Sequence, residues 1–146
     1  MFKQILFATD GSSASEHAAH MAVTLARTHG AKLTAVYVMD PYPYLGIGEA
    51  NPMGFQSYME AARGSSAQAF THLNDLCKGP GSEVPLECCF VENVSAPKGI
   101  IQSADDVQAD LIVIGSHGRG GLEKLVLGSV AAKVVAQSTR PVLVTR

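Results

Sequence analysis

Apolar residues recur along this chain at two spacings. Short, mostly apolar runs come first: Ile5-Leu6-Phe7-Ala8, Leu33 to Val38 with Thr34 inside it, Leu86 to Val91 with Glu87 inside it, Leu111-Ile112-Val113-Ile114 and Val142-Leu143-Val144. Between them lie longer stretches in which apolar residues return every third or fourth position. Apolar runs rich in β-branched residues suit parallel strands buried on both faces. The wider spacing suits helices that bury one stripe.

In chain order, Gln4 to Thr9 reads as a strand ending at Asp10-Gly11-Ser12. Ser13-Ala14-Ser15-Glu16 has the form of a capping box, worth about 1 kcal/mol to a helix start. Ala18, Met21, Ala22, Leu25 and Ala26 then form one stripe, and Gly30 is placed to stop that helix, with Arg27 and His29 in its last turn. Lys32 to Val38 is the second strand. Met39 to Gly54 holds three prolines and three glycines and is expected to be irregular, either a flap over a ligand or a plain insertion. A helix from Phe55 to Lys78 buries Ala62, Ser66, Ala69, Phe70, Leu73 and Cys77, with a weak point at Gly64-Ser65-Ser66, and ends at Gly79-Pro80-Gly81. After the strand Leu86 to Val91, Ser95-Ala96-Pro97 opens a third helix, which faces Ile100, Ile101, Ala104 and Val107 inward. The Leu111 run, a fourth helix and the closing strand Val142 to Thr145 complete the order βαβαβαβαβ. That alternation predicts a single α/β domain built on a doubly wound parallel sheet of five strands, with right-handed crossovers and helices on both faces.

Asp110 to Val130 carries the chemistry. Behind the Leu111 strand four glycines fall within seven residues, Gly115, Gly118, Gly120 and Gly121, and Gly128-Ser129 follows at the head of a helix. From Leu127 onward, Val130, Ala131, Val134 and Val135 keep helical spacing. Strand, glycine-rich loop and helix start together make an anion site, because glycine lets backbone approach closely and the helix start offers unpaired N–H groups. Ser116, His117 and Arg119 add side-chain donors. A tight turn that merely joins strand to helix is the alternative. The pattern is not G-x-x-x-x-G-K-[ST], nor G-x-G-x-x-G after a first strand.

The loop resembles the nucleotide-binding branch of the universal stress protein family, which carries G-x-x-G, nine residues, then G-[ST]. Here these are Gly115-Ser116-His117-Gly118, the nine residues Arg119 to Leu127, and Gly128-Ser129. The resemblance extends to the N-terminal I-L-F-A-T-D-G-S, to G-A-K-L-T-A-V-Y-V and to the closing R-P-V-L-V-T-R, while Met39 to Pro85 matches only in helical character. It implies the adenine nucleotide alpha hydrolase-like fold with strand order 3-2-1-4-5, in which the first and fourth strands are adjacent at the topological switch point. Asp10 and the glycine loop then face one another across one cleft. By the same resemblance the nucleotide-binding residues are Ala8, Thr9, Asp10, Val38, Gly115, His117, Gly118, Arg119, Gly128, Ser129 and Val130. The expected ligand is ATP, ADP or AMP, and Asp10 is expected either to bond ribose hydroxyls or to support Mg²⁺ on the phosphates through water. Val38 reads adenine through its backbone. Asp10 by itself admits a simpler role, capping the helix behind it.

Composition narrows the function. With 47% hydrophobic and 16% charged residues and a net charge of −2, the chain is compact and carries no basic run, so nucleic acid is not expected as a partner. The apolar runs have strand length, and the run after Met1-Phe2-Lys3-Gln4 holds only four apolar residues before Thr9, so neither a membrane span nor a signal peptide is expected. A cytoplasmic protein follows. Cys77, Cys88 and Cys89 show no C-x-x-C spacing and read as small buried hydrophobes. His17 and His20, at i and i+3, read as solvated surface. A response-regulator receiver is excluded, since its second N-terminal acid and the aspartate ending its third strand are missing: Val91 is followed by Glu92-Asn93.

No nucleophile signature or histidine–carboxylate pair stands out, and without a P-loop lysine any hydrolysis is expected to be slow. The leading expectation is an ATP-binding regulator or sensor. The alternatives are a slow ATPase or a nucleotidyl or phosphoryl transferase, or a structural dimer partner. The last strand, with Val142, Leu143 and Val144, is apolar at a sheet edge, a feature that tends to be paired. Family members commonly dimerise there, so a homodimer is expected.

Overall fold

A computed structural model of the chain describes residues 1–41, 52–118 and 126–146, without the side chains at 52 and 53. Five strands form one all-parallel sheet: β1 (Gln4–Thr9), β2 (Lys32–Val38), β3 (Leu86–Val91), β4 (Leu111–Gly115) and β5 (Val142–Thr145). Their order across the sheet is β3-β2-β1-β4-β5. The central register pairs Thr9 with Tyr37 on one side of β1 and Ala8 with Ile114 on the other.

Strand periodicity divides the core in two. Ile5 and Phe7 of β1 pack with α1 (Glu16–His29) and α2 (Pro52–Cys77), against Ala18, Ala22, Leu73 and Cys77. Leu6 and Ala8 point the other way, against α3 (Ala96–Asp106) and α4 (Ser129–Gln137), where Ile100, Ala104, Ala131 and Val134 are buried. Fully burying such aliphatic side chains stabilises by roughly 1.5–3 kcal/mol each. The alanines of α1 let that helix lie close to the sheet.

The expected elements are present with small shifts of boundary. Gly30 ends α1 in the left-handed conformation at φ 65°, as a C-terminal glycine does. Gly64-Ser65-Ser66 does not interrupt α2, which is continuous through them. The capping box is not formed. Ser13 to Ser15 make a 3₁₀ turn, Ser15 takes the N-cap position of α1 in a helical conformation, and no side chain caps the helix. The reason lies one turn upstream, where Asp10 holds Ser12 and the chain tightens before the helix begins.

Arg27 binds the two helices of one face together. Its guanidinium donates to the carbonyls of Leu76, Cys77 and Ser82 at 3.0, 3.2 and 2.8 Å, at and just beyond the C-terminal end of α2. The cysteines divide. Cys77 is buried as expected, but Cys88 is exposed and Cys89 half-buried. Both sit on β3, the strand at one edge of the sheet, so helices cover them only in part. Burial, complete at Cys77 and partial at the other two, raises all three thiols above their ordinary value. Among the described residues no helix is long and apolar enough to cross a membrane.

Candidate functional site

At β1 and β4 the windings part: α1 leaves β1 on one face and α4 follows β4 on the other. A cavity of about 710 Å³ opens there, at the carboxyl ends of the strands. Ligand pockets commonly occupy roughly 300–1,000 Å³. Its floor is apolar, from Ala8, Val36, Ile100, Ile114 and Ala131. Its rim is polar and glycine-rich.

The β1 side is a self-bracing turn. Asp10 Oδ1 accepts the Ser12 N–H at 2.9 Å and the Ser12 hydroxyl at 2.5 Å. Thr9 Oγ1 accepts the Gly11 N–H at 3.1 Å and lies 3.1 Å from the Ser15 hydroxyl. The Ser15 hydroxyl donates to the Ser12 carbonyl at 2.8 Å. Gly11 turns the chain at φ 76°, a conformation that favours glycine. This turn holds the Asp10 carboxylate through Oδ1, and Oδ2 lies on the side of Gly118. Asp10 therefore stabilises the turn before α1 rather than capping the helix.

The β4 side supplies the facing wall. Ser116 is held through its N–H, which donates to the Thr145 carbonyl of β5 at 2.7 Å. Its hydroxyl lies 3.0 Å from His117 Nδ1. His117 Nε2 is buried with no hydrogen-bond partner among the described residues. A buried imidazole nitrogen of this kind calls for a polar partner beyond the described residues, or for water. Gly118 comes so near the opposite wall that a Cβ there would stand 2.5 Å from Asp10 Oδ2.

Gly128 returns the chain to the same place. Its N–H donates to the Ser116 carbonyl at 2.7 Å, and a Cβ on it would meet that same oxygen at 2.7 Å. Glycine at 128 is thus required by backbone packing between the two legs of the loop. Gly128 is also the N-cap of α4, while Ser129, whose hydroxyl does not cap, takes the first helical position. α4 carries no acidic residue in its first turn, so its open N–H groups and dipole face the cavity unneutralised.

Of the residues singled out in the sequence, Ala8, Thr9, Asp10, Val38, Gly115, His117, Gly118, Gly128, Ser129 and Val130 all line this one cavity. Arg119 lies outside the described residues, as does most of the irregular stretch after Met39. The β1–β2 ladder ends at Thr9 and Tyr37, so the β1-facing edge of the Val38 backbone lies past the last rung.

The structure adds a third wall that sequence reasoning missed. Gly99 of α3 packs on Val38, where a Cβ would come within 2.8 Å of Val38 Cγ1, and this brings Ala96 and Ile100 to the rim. Asp40 joins them, its Oδ1 accepting the Ala96 N–H at 3.0 Å at the start of α3. The signal was present in Ser95-Ala96-Pro97-Lys98-Gly99, a helix start followed by a small residue. Its partner, Asp40, lies too far away in sequence for spacing to connect them.

The family model of the universal stress protein family matches residues 1–146. The chain belongs to the universal stress protein family. A universal stress protein of Thermus aquaticus is 37% identical over 150 residues, covering 100% of both chains. One from Methanocaldococcus jannaschii is 32% identical over 146 residues, covering 100% of this chain and 83% of the relative. Among solved structures, the universal stress protein of Lactobacillus plantarum superposes with a TM-score of 0.74 at 25% identity, covering 99% of this chain and 97% of that one. A universal stress protein solved in complex with cAMP superposes with a TM-score of 0.74 at 26% identity, with the same coverage. In this universal stress protein the two halves of the G-x-x-G and G-S motif, far apart along the loop, meet through the Gly128–Ser116 bond.

Proposed function

We propose that this universal stress protein binds an adenine nucleotide, ATP foremost, in the β1–β4 cleft and acts as a nucleotide-dependent regulator of a stress response rather than as a fast enzyme. The observation that carries this reading is the meeting of Asp10, the Gly115–Gly118 wall and the start of α4 around one cavity of about 710 Å³. The cAMP complex of a relative supports an adenine nucleotide as its occupant.

The residues divide the work by chemistry. The start of α4 and the backbone at Gly118 are suited to phosphate oxygens, which take N–H donors and a positive dipole end. His117 Nε2, buried without a partner among the described residues, supplies one further polar contact. Arg119, from the same loop, is assigned to the phosphates by its charge. The apolar floor of Ala8, Val36 and Ile100 suits the flat faces of a base, and the Val38 backbone past the end of the β1 ladder suits the adenine edge. Asp10 lines the cavity beside Gly118, so Mg²⁺ would be held by phosphates with outer-sphere support from Asp10 through water. Bound Mg²⁺ would neutralise phosphate charge.

Slow hydrolysis is a second reading, favoured by the position of His117 at the same wall. It requires turnover that disappears in His117→Ala while binding persists. A homodimer through β5 completes the proposal. Val142, Leu143 and Val144 are only half-buried, and exposed Val126, Leu127 and Val135 of the neighbouring α4 region extend an apolar surface. Isothermal titration calorimetry with ATP, ADP, AMP and GTP in the presence of Mg²⁺ tests the nucleotide reading. One adenine-nucleotide site per chain and no heat with GTP is the expected result. Heat from none of them contradicts it.

A further inference from the structure

On the opposite side of β1 from the α4 wall, three metal-ligating side chains converge across two helices. Glu16 and His20 lie one turn apart on α1, and His72 comes from α2. Glu16 Oε1 is 3.3 Å from His72 Nε2 and 3.9 Å from His20 Nε2. One ligand atom from each of the three lies within 4.8 Å of the others. The two imidazoles meet edge to face, with ring centroids 6.3 Å apart. All three residues are exposed, so solvent has direct access.

We propose that Glu16, His20 and His72 form a binding site for a divalent transition metal, with Zn²⁺ the ion its donors suit. Two imidazole nitrogens and one carboxylate oxygen are borderline donors, which favour Zn²⁺ and its neighbours over Mg²⁺ and Ca²⁺. Tetrahedral Zn²⁺ with bonds of about 2.0–2.1 Å places its ligands about 3.3–3.4 Å apart. The Glu16–His72 separation already has that value, while His20, at 3.9 Å from Glu16, must move closer. Water completes the fourth position. As plain surface ion pairs these exposed contacts contribute little. A metal turns them into a clip between α1 and α2.

The site is separate from the nucleotide cleft, since neither Glu16, His20 nor His72 lines that cavity. Instead Glu16 and His72 border a smaller hollow of about 190 Å³ with Gly11, Ser12 and Gln68. The spacing of His17 and His20 suggested solvated surface only. His17 does turn away, its Nδ1 meeting the Arg146 carbonyl, while the third ligand comes from a helix some fifty residues on and is invisible to local pattern.

The test is a Zn²⁺ titration of the chelator-treated full chain without nucleotide, followed by calorimetry and thermal unfolding. One saturable site per chain is expected, with a rise in Tm that Mg²⁺ does not reproduce. His72→Ala and His20→Ala should each weaken binding at least about tenfold and abolish the Tm rise, while Glu16→Gln weakens it less. The side chains are exposed, so the variants fold, and unchanged far-UV circular dichroism confirms it. Cys88→Ser with Cys89→Ser controls for thiol binding and should leave the site intact. Absence of saturable binding overturns the proposal, as does binding that survives His72→Ala or is lost with the cysteines.

Discussion

Gly118 and Asp10 close on each other across the cleft so tightly that a Cβ at 118 would lie 2.5 Å from Asp10 Oδ2. The Asp10 carboxylate cannot simply swing aside, because Oδ1 is held twice by Ser12. Any side chain at 118 therefore meets the Asp10 carboxylate of the proposed nucleotide site. Gly118→Val should lower ATP affinity by about tenfold or more, or at least ~1.4 kcal/mol. Gly118 is exposed and meets a side-chain oxygen rather than backbone, so Tm without ligand should fall by less than at a glycine packed on backbone. Calorimetry paired with thermal unfolding separates the two effects, and unchanged affinity would count against the nucleotide site.

Gly128 behaves differently. Its Cβ would run into the Ser116 carbonyl at 2.7 Å, which is backbone and cannot rotate away. Gly128→Ala should cost about 1–3 kcal/mol of stability through overpacking, even with no nucleotide present. The urea midpoint of the variant checks this. A variant as stable as the parent would mean that the two legs of the loop do not pack as described.

The contrast between those glycines marks what the sequence could and could not reveal. Glycine spacing placed both at the site, but only the structure separates a glycine that faces the cavity from one that joins two legs of a loop. The strands were legible because Leu111 to Ile114 and Ile5 to Ala8 are unbroken apolar runs, buried on both faces. The start of α1 was not, because Asp10 captures Ser12 and leaves the Ser13 and Glu16 pattern without its capping geometry. Asp40 and Ala96 at the rim, like Glu16 and His72 on the far face, are pairings across distant elements. The exposure of Cys88 depends on β3 being an edge, which the strand order decides and local sequence does not.

Cys77 gives the fold an alkaline limit. Burial raises its thiol first, Arg27 lowers it and Glu83 raises it further, leaving it above its ordinary value. A thiol raised in the folded state leaves stability complete below the unfolded pKa of about 8.5 and removes it as pH climbs beyond, since the unfolded chain ionises first. Tm should therefore fall from about pH 8.5 upward, and Cys77→Ala should flatten that slope relative to its own value at pH 7. Alkaline slopes that match in both proteins would contradict the assignment.

The β5 edge predicts a dimer. Light scattering at micromolar concentration should give twice the 15.3 kDa chain mass. Val142→Lys, which places a charge on the edge strand, should shift the mass toward one chain. A monomeric parent protein refutes the interface.

The most direct test of the nucleotide account is a thermal-shift titration of nucleotide-free protein with Mg²⁺ and ATP, ADP, AMP or GTP. At a hundredfold excess over Kd, ligand bound only by the folded state adds about 2.7 kcal/mol. For a chain of this length that corresponds to a rise of roughly 5–10 °C. The account predicts such a rise with adenine nucleotides, a rise cut by about half or more in Gly118→Val, and none with GTP. No rise with any nucleotide would contradict it and would leave the glycine-rich wall as a turn between β4 and α4.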